Sequence, residues 1–308
     1  MERKSIFKLI IFLTLFFITI FSIYVAFKEE RRGILTVAFL NIGQGDAIFI
    51  EAPSGSQILI DGGPNKSVLR ELSKVMPFYD RSIDVVLATH ADQDHIGGIP
   101  DVLQKYKVDI FMETGVSGES SSYKELEKIV EEKSQGVPLG NFKGEPLKKI
   151  FVRRGMVVDL GNGAMLQILF PDRDPAGMET NTSSIIARLV YGENEFLFTG
   201  DSPKSIENYL VSLESQGETL GNSQGLTLGL ESDVLKSGHH GSKTSTSPEF
   251  VTAVSPEYVV ISAGKDNRYG HPHQEVLDIF NSFGAKILRT DLDGRVVFKS
   301  DGINLLLK

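Results

Sequence analysis

The sequence predicts an α/β fold, because short apolar strands repeatedly end in polar, glycine-rich loops that lead into helices. The clearest case begins at residues 83–88, which are apolar and β-branched as in a buried strand. The loop after it carries Gly97 and Gly98, and a proline early in the next segment, 99–103, indicates the start of a helix. An α/β fold places its chemistry in such loops, at the carboxyl ends of strands.

The same pattern continues along the chain. Period-two and apolar runs predict further strands at 34–40, 47–51, 57–61, 108–112, 156–160, 165–170, 184–191, 195–199, 232–236, 258–262, 287–290 and 296–299. Helical spacing predicts helices at 68–76, 123–133, 203–213 and 274–283. The helix at 123–133 lies in a connection rich in Ser, Gly, Glu and Lys, and is expected to be exposed. A near-duplication, SQGETLG at 215–221 and SQGLTLG at 223–229, is interpreted as a loop insertion because seven residues cannot form a stacking repeat.

The first 32 residues differ from the rest of the chain. Residues 9–27, LIIFLTLFFITIFSIYVAF, contain no charge, and about 20 such residues span a bilayer as a helix. A cleaved signal peptide is the alternative, but the run is long for one and no small-residue cleavage site follows it. We therefore expect residues 1–32 to form a single-pass membrane anchor and residues 33–308 to form the functional domain. Basic residues are balanced around the span, and a short N-terminal tail in the cytoplasm would place the domain outside it.

Composition limits the chemistry that is available. The 308 residues include no cysteine, so a metal must be held by His, Asp, Glu or Asn. The net charge of −8 argues against a broad electrostatic grip on nucleic acid. A candidate basic patch could offset this charge locally, although solvated charge at strand edges explains it equally well. Its members are Lys143, Lys148, Lys149, Arg153 and Arg154.

The histidines of the chain are clustered. All six lie beside glycine or proline turns near predicted strand ends, in the pairs His90/His95, His239/His240 and His271/His273. Histidines placed in a core by chance would scatter, so the clusters indicate a shared site. The first pair brackets Asp92 and Asp94, and so many polar groups together are costly to desolvate without a cation. With Asp61 and Asp201 there are enough ligands for two divalent cations bridged by one carboxylate.

The motifs around these residues resemble the metallo-β-lactamase superfamily, and within it the ComEC-like branch, the C-terminal domain of bacterial competence proteins. The resemblance runs from about Leu35 to the end of the chain. It rests on LNIGQGDA at 40–47, LIDGG at 59–63, THADQDHIGG at 89–98, FTGD at 198–201, HHGSKTSTSPEF at 239–250 and NRYGHPH at 267–273. Several long motifs in the right order are a specific signal. The resemblance implies an αββα sandwich with its site at the rim between the two sheets.

The resemblance also implies roles for individual residues. The implied metal ligands are His90, Asp92, Asp94, His95, Asp201 and His240, with Asp201 as the bridge. His239 is close enough to exchange roles with His240. Asp61 is expected to orient ligands from behind.

Two features depart from the general superfamily pattern. The general superfamily has a second histidine at the position of Asp92, whereas the ComEC-like branch has an aspartate there, as this chain does. In addition, no histidine lies between His95 and His239 to supply the superfamily's intermediate ligand. Asn181 or Ser184 is expected to fill that position. Oxygen-rich ligands favour Mn²⁺ over Zn²⁺ more than usual, and the identity of the metal stays open.

The predicted function is that of a membrane-anchored, metal-dependent hydrolase, a phosphodiesterase or nuclease in which a metal-activated water attacks phosphorus. Asp94 would orient this water, and His239, Lys243 or His271 would donate to the phosphate or the leaving group. DNA is one candidate substrate, but a single span leaves no room for a transport channel. The alternatives are an acyl or ester hydrolase and a non-catalytic binding module that keeps its metal for structure.

Overall fold

Residues 3–31, 33–137, 146–221 and 227–308 are described by the computed structural model. Within these ranges the strands are β1 Leu35–Phe39, β2 Ile48–Glu51, β3 Gln57–Ile60, β4 Ser82–Leu87, β5 Lys107–Glu113, β6 Lys148–Phe151, β7 Val157–Gly161, β8 Ala164–Phe170, β9 Ile186–Tyr191, β10 Asn194–Phe198, β11 Val234–Lys236, β12 Tyr258–Ile261, β13 Lys286–Arg289, β14 Val296–Ser300 and β15 Leu305–Leu307. The helices are α1 Arg3–Arg31, α2 Ser67–Val75, α3 Gln93–Ile96, α4 Ile99–Lys105, α5 Ser121–Ser134, α6 Lys204–Ser215, α7 Pro248–Val254, α8 Gln274–Ser282 and α9 Thr290–Asp293.

The strands form two sheets that pack face to face. One sheet has eight strands in the order β15-β14-β1-β2-β3-β4-β5-β6, and the other has seven in the order β13-β12-β11-β10-β9-β8-β7. Side chains from both sheets share one apolar core, in which Phe39 contacts Phe198 across the interface. Helices α2, α4 and α5 cover the outer face of the first sheet, and α6, α7 and α8 cover that of the second. This is the predicted αββα sandwich.

Most predicted elements are confirmed within a residue or two, but helix α5 is not exposed as expected. It is amphipathic and buries Tyr123, Leu126, Ile129 and Val130 against the first sheet. Each such side chain contributes about 1.5–3 kcal/mol when it is fully buried. The polar composition of the surrounding connection therefore hid a helix that packs on the sheet.

The N-terminal helix α1 is long and apolar enough to cross a membrane. Its segment Ser5–Ser22 has a mean hydropathy of 2.3, and the side chains of that segment are exposed. Length and composition are the whole of this evidence. The division into an anchor at 1–32 and a domain at 33–308 stays a prediction.

Candidate metal centre

Parallel pairing brings the polar loops of each sheet together. Strand β4 lies between β3 and β5 and runs parallel to both, and β11 lies parallel between β10 and β12. The loops after β3, β4, β10, β11 and β12 carry the predicted site residues except Asn181 and Ser184, which lie between β8 and β9. Because the carboxyl ends of parallel strands meet at one edge, segments far apart in the chain converge there.

Hydrogen bonds at Nδ1 fix how three imidazoles face the site. His95 Nδ1 lies 2.8 Å from Asp61 Oδ2, and His240 Nδ1 lies 3.0 Å from the carbonyl oxygen of Ser262. His90 Nδ1 lies 3.0 Å from Thr89 Oγ1, whose own proton is donated to Asp61. All three partners accept, so each Nδ1 carries a hydrogen. Nε2 is therefore the atom that each ring offers to a metal.

Four ligand atoms lie close enough to surround one cation. His240 Nε2 is 3.3 Å from both Asp94 Oδ2 and His95 Nε2, and His95 Nε2 is 3.2 Å from Asp201 Oδ1. Metal–ligand bonds of about 2.0–2.2 Å hold neighbouring ligand atoms roughly 3–3.5 Å apart. These three distances match that spacing.

A second, looser set lies on the other side of Asp201. His90 Nε2 is 3.8 Å from Asp92 Oδ2 and 3.9 Å from Asp201 Oδ2. It is also buried without a hydrogen-bond partner, which is costly unless a cation or water completes it. His239 Nε2 lies 3.5 Å from the same Asp201 oxygen. Asp201 thus faces both sets, as expected of a bridging carboxylate.

The electrostatics of the cluster favour ionised carboxylates. Burial, with the charge of His95 adding to it, lowers the pKa of His90 to about 3, so its ring is neutral. Burial opposes charge at His95 and His240 too, but Asp201 acts together with Asp61 at His95 and with Asp46 at His240, and these carboxylates raise the pKa of both rings well above the usual value. Burial alone would raise the pKa of Asp94, whereas its hydrogen bond with His240 lowers that pKa to about 2. A cation entering here would displace protons from two imidazoles.

Sequence reasoning missed a buried ion pair beneath the site. Asp46 Oδ2 lies 2.6 Å from the ammonium of Lys236, and both side chains are buried. Burial alone would raise the pKa of Asp46, but the charges of Lys236, His240 and His95 together outweigh it and lower that pKa below its usual value. Asp46 Oδ1 also lies 3.3 Å from His240 Nδ1.

Asp46 groups with His95, Asp201 and His240, whose potential ligand atoms all lie within 4.8 Å of one another. Asp46 nevertheless faces the Nδ1 side of the two rings, whereas Asp201 faces the Nε2 side. One imidazole cannot present both nitrogens to a single ion. Asp46 therefore supports the site from behind. The only local signal for it is its place after two glycines in the loop that follows β1.

Asn181 and Ser184, the two residues predicted to replace the missing imidazole ligand, have different contacts. Ser184 Oγ accepts a hydrogen bond of 3.2 Å from the backbone nitrogen of Asp201, so this serine holds the backbone that presents the Asp201 carboxylate. Asn181 lies in a short 3₁₀ turn, and its Oδ1 is buried without a hydrogen-bond partner. Asn181 thus keeps a free oxygen donor, and its place as a ligand stays a prediction.

The predicted donors lie around the outside of the ligand set. His239 and His240 adopt left-handed backbone conformations, with φ of +47° and +55°, which are strained for side chains with a Cβ. The His271 ring lies 5.7 Å from that of His239, and burial lowers the pKa of His271 to about 4. The Lys243 side chain is exposed, and its backbone N–H donates to His273 Nδ1 at 3.2 Å.

The candidate basic patch is largely structural. Lys149 Nζ lies 2.7 Å from Glu113 and 2.9 Å from Glu127. Arg153 and Arg154 donate to backbone carbonyl oxygens of neighbouring segments. Lys148 is exposed, and Lys143 lies outside the described residues. The sequence left open substrate contact and solvated charge at strand edges, and the structure instead gives Lys149, Arg153 and Arg154 partners within the protein.

The fold and these motifs agree with what is known of other proteins. Residues 40–265 match the model of the Metallo-beta-lactamase superfamily, and the chain belongs to that superfamily. ComE operon protein 3 of Bacillus subtilis (strain 168) is 32% identical over 282 residues, a match that covers 85% of this chain and 33% of that protein. Competence protein ComA of Neisseria gonorrhoeae is 29% identical, with 89% and 34% covered. These relatives are consistent with the ComEC-like branch, and the chain spans about a third of their length.

A solved structure supports the fold alone. CmlA, a diiron beta-hydroxylase from Streptomyces venezuelae, superimposes with a TM-score of 0.52 at 14% identity, over 89% of this chain and 54% of that chain. At this sequence identity the structural similarity supports the shared fold and says nothing about the reaction.

Proposed function

We propose that the domain at 33–308 is a metal-dependent phosphodiesterase that acts on nucleic acid and uses two divalent cations, Zn²⁺ or Mn²⁺. The observation that carries the proposal is the convergence of three Nε2 atoms on the carboxylate of Asp201. His90, Asp92 and Asp201 would hold one cation. Asp94, His95 and His240, with Asp201 as the bridge, would hold the other. When bound, two such cations supply an activated water and neutralise charge on a phosphoryl group.

The protein's own groups would orient the reactants. The Asp94 side chain is 31% exposed and ionised, so it can accept a hydrogen bond from the attacking water. Burial lowers the pKa of His239 and of His271, so both rings are neutral at pH 7 and act as hydrogen-bond donors to phosphate oxygens rather than as acids. The exposed Lys243 remains as the cationic donor near the leaving group.

The choice of phosphodiester over acyl substrates rests on the ligands. Carboxylates outnumber imidazoles in the looser set, and hard oxygen ligands suit the cations that accompany phosphate chemistry. The names of the competence relatives are consistent with DNA as the substrate. We further propose that α1 anchors the domain as a single span and that the domain lies outside the cytoplasm.

The test uses the full chain in detergent micelles, stripped of metal and reloaded with Mn²⁺ or Zn²⁺. Substrates are single- and double-stranded DNA, bis(p-nitrophenyl) phosphate and p-nitrophenyl acetate. We expect metal-dependent cleavage of DNA that Asp94→Ala abolishes and that Asp278→Ala, at an exposed carboxylate on α8, retains. Hydrolysis of the acetate alone would contradict the proposal in favour of an acyl hydrolase. Bound metal with no hydrolysis of any substrate would favour a binding module.

A further inference from the structure

A series of aromatic rings leads from the ligand set to the surface. The His271 ring lies 6.4 Å from that of His240 and 5.7 Å from that of His239. On its other side, Tyr269 stacks on His271 with centroids 5.6 Å apart and planes at 23°. Tyr269 is 48% exposed. The series therefore connects a proposed metal ligand with a half-exposed aromatic side chain.

An exposed cation lies at the outer end of this series. The guanidinium of Arg268 lies 4.8 Å from the Tyr269 ring centroid, and Nη2 donates to the tyrosine hydroxyl at 2.6 Å. That hydrogen bond, with a smaller contribution from the Asp94 carboxylate, raises the pKa of Arg268. Its contact with Tyr269, which stacks on His271, places the guanidinium at the outer end of the ring series.

Asn267 holds the loop that presents these side chains. Its side-chain nitrogen donates to the carbonyl oxygens of Gly264 and His271, at 2.9 and 2.6 Å. Its Oδ1 accepts from the backbone nitrogens of Tyr269 and His271, at 3.1 and 3.0 Å. Four hydrogen bonds from one side chain fix the loop before any ligand arrives. The loop therefore presents Tyr269 at the surface in an ordered position.

We propose that Arg268, Tyr269 and His271 form a stacking subsite for an unpaired nucleobase beside the scissile phosphate, so that the substrate is single-stranded nucleic acid. The inference rests on the phosphodiesterase function proposed above. Every base has a π-face that stacks on aromatic rings and on guanidinium groups, whereas the bases of a duplex are already stacked and paired. In an acidic protein, this subsite supplies affinity that does not depend on a broad basic surface.

The experiment compares two oligomers of equal charge on the full chain in detergent micelles. One is a fluorescein-labelled oligothymidylate of 12 nucleotides, and the other is an abasic deoxyribose-phosphate oligomer of the same length. Binding is measured by fluorescence anisotropy on metal-stripped protein in EDTA, and cleavage is measured separately with Mn²⁺. We expect the oligothymidylate to bind about tenfold more tightly than the abasic oligomer. Tyr269→Ala should remove the difference and Tyr269→Phe should retain it.

The control variant is Tyr79→Ala. Tyr79 is 52% exposed, as Tyr269 is about half exposed, and it contacts the ring of Phe78 edge to face. It precedes β4, at the end opposite the site. This variant should keep the tenfold preference. The affinity of an oligouridylate, measured in the same way, shows whether the protein binds a ribose as well as a deoxyribose backbone. Tighter binding of either base-bearing strand than of the abasic oligomer supports the subsite.

The outcomes separate the two proposals. Base-dependent binding without cleavage would keep the subsite and contradict the phosphodiesterase. Cleavage of both oligomers at equal KM and equal affinity would keep the phosphodiesterase and overturn the subsite. Weak binding of both oligomers, unchanged by Tyr269→Ala, would overturn it as well.

Discussion

The buried pair Lys236–Asp46 gives the sharpest prediction about what holds the site together. Replacing Lys236 by Met keeps an unbranched chain of similar length but removes the nearest cation from the Asp46 carboxylate, which has a side-chain exposure of 2%. At a separation of 2.6 Å and an effective dielectric constant of about 20, the attraction is about 6 kcal/mol. The desolvation of both groups offsets part of it, and loss of one partner from a buried pair costs about 3–5 kcal/mol.

We therefore expect Lys236→Met to lower the free energy of unfolding by about 3–5 kcal/mol. The measurement is urea denaturation of the full chain in micelles, followed by circular dichroism. The control, Lys148→Met, replaces an exposed lysine of β6 and should change the stability by less than about 0.5 kcal/mol. Because Asp46→Asn removes the unpaired charge, the double variant should recover about 2–3 kcal/mol relative to additivity.

The same variants separate stability from metal binding. The double variant lacks the carboxylate behind His240 Nδ1, so we expect it to bind Zn²⁺ about 10- to 100-fold more weakly although its fold has recovered. A Lys236→Met protein within 1 kcal/mol of the wild type would refute the reasoning. So would a double variant that shows no coupling.

Three further predictions concern the supports of the site. Gly45→Ala should destabilise the domain and weaken Mn²⁺ binding, because its φ is +122° and a Cβ there would lie 2.0 Å from the backbone oxygen of Asp94. The control is Gly55→Ala, which has a φ of +93° and open space around the added Cβ, and equal effects of the two variants in calorimetry would contradict the prediction. Asp61→Asn should weaken metal binding about 10- to 100-fold in a competition titration with a chelator, and unchanged affinity would count against its orienting role. Lys149→Met should lower the free energy of unfolding by about 1–3 kcal/mol in urea titrations, because it leaves the buried Glu113 carboxylate without its lysine. Adding Glu113→Gln to that variant should restore much of the lost stability.

The candidate ligands that the sequence brings forward are those whose evidence is local. His90, Asp94 and His95 lie within six residues of one loop, and their order with glycines after an apolar strand indicates both the turn and the chemistry. The sheets were predictable for the same reason, since alternation and apolar runs need only neighbouring residues.

The parts that the sequence did not predict depend on distant contacts. Asp46 and Lys236 are 190 positions apart and meet only because the loop after β1 packs against the end of β11. Nothing in either segment distinguishes a buried lysine from a solvated one. The packing of α5 was likewise decided by the first sheet, whose apolar face overrides the polar composition around that helix.

The most direct test of the central claim is a metal titration of the full chain in micelles. Metal-stripped protein is loaded stepwise with Mn²⁺, bound metal per chain is counted by plasma mass spectrometry, and cleavage of a single-stranded oligonucleotide is followed at each step. We expect a rate that rises with bound metal toward two ions per chain, and the loss of both binding and cleavage in Asp201→Asn. Cleavage that persists in the stripped protein, or that survives in Asp201→Asn, would contradict it.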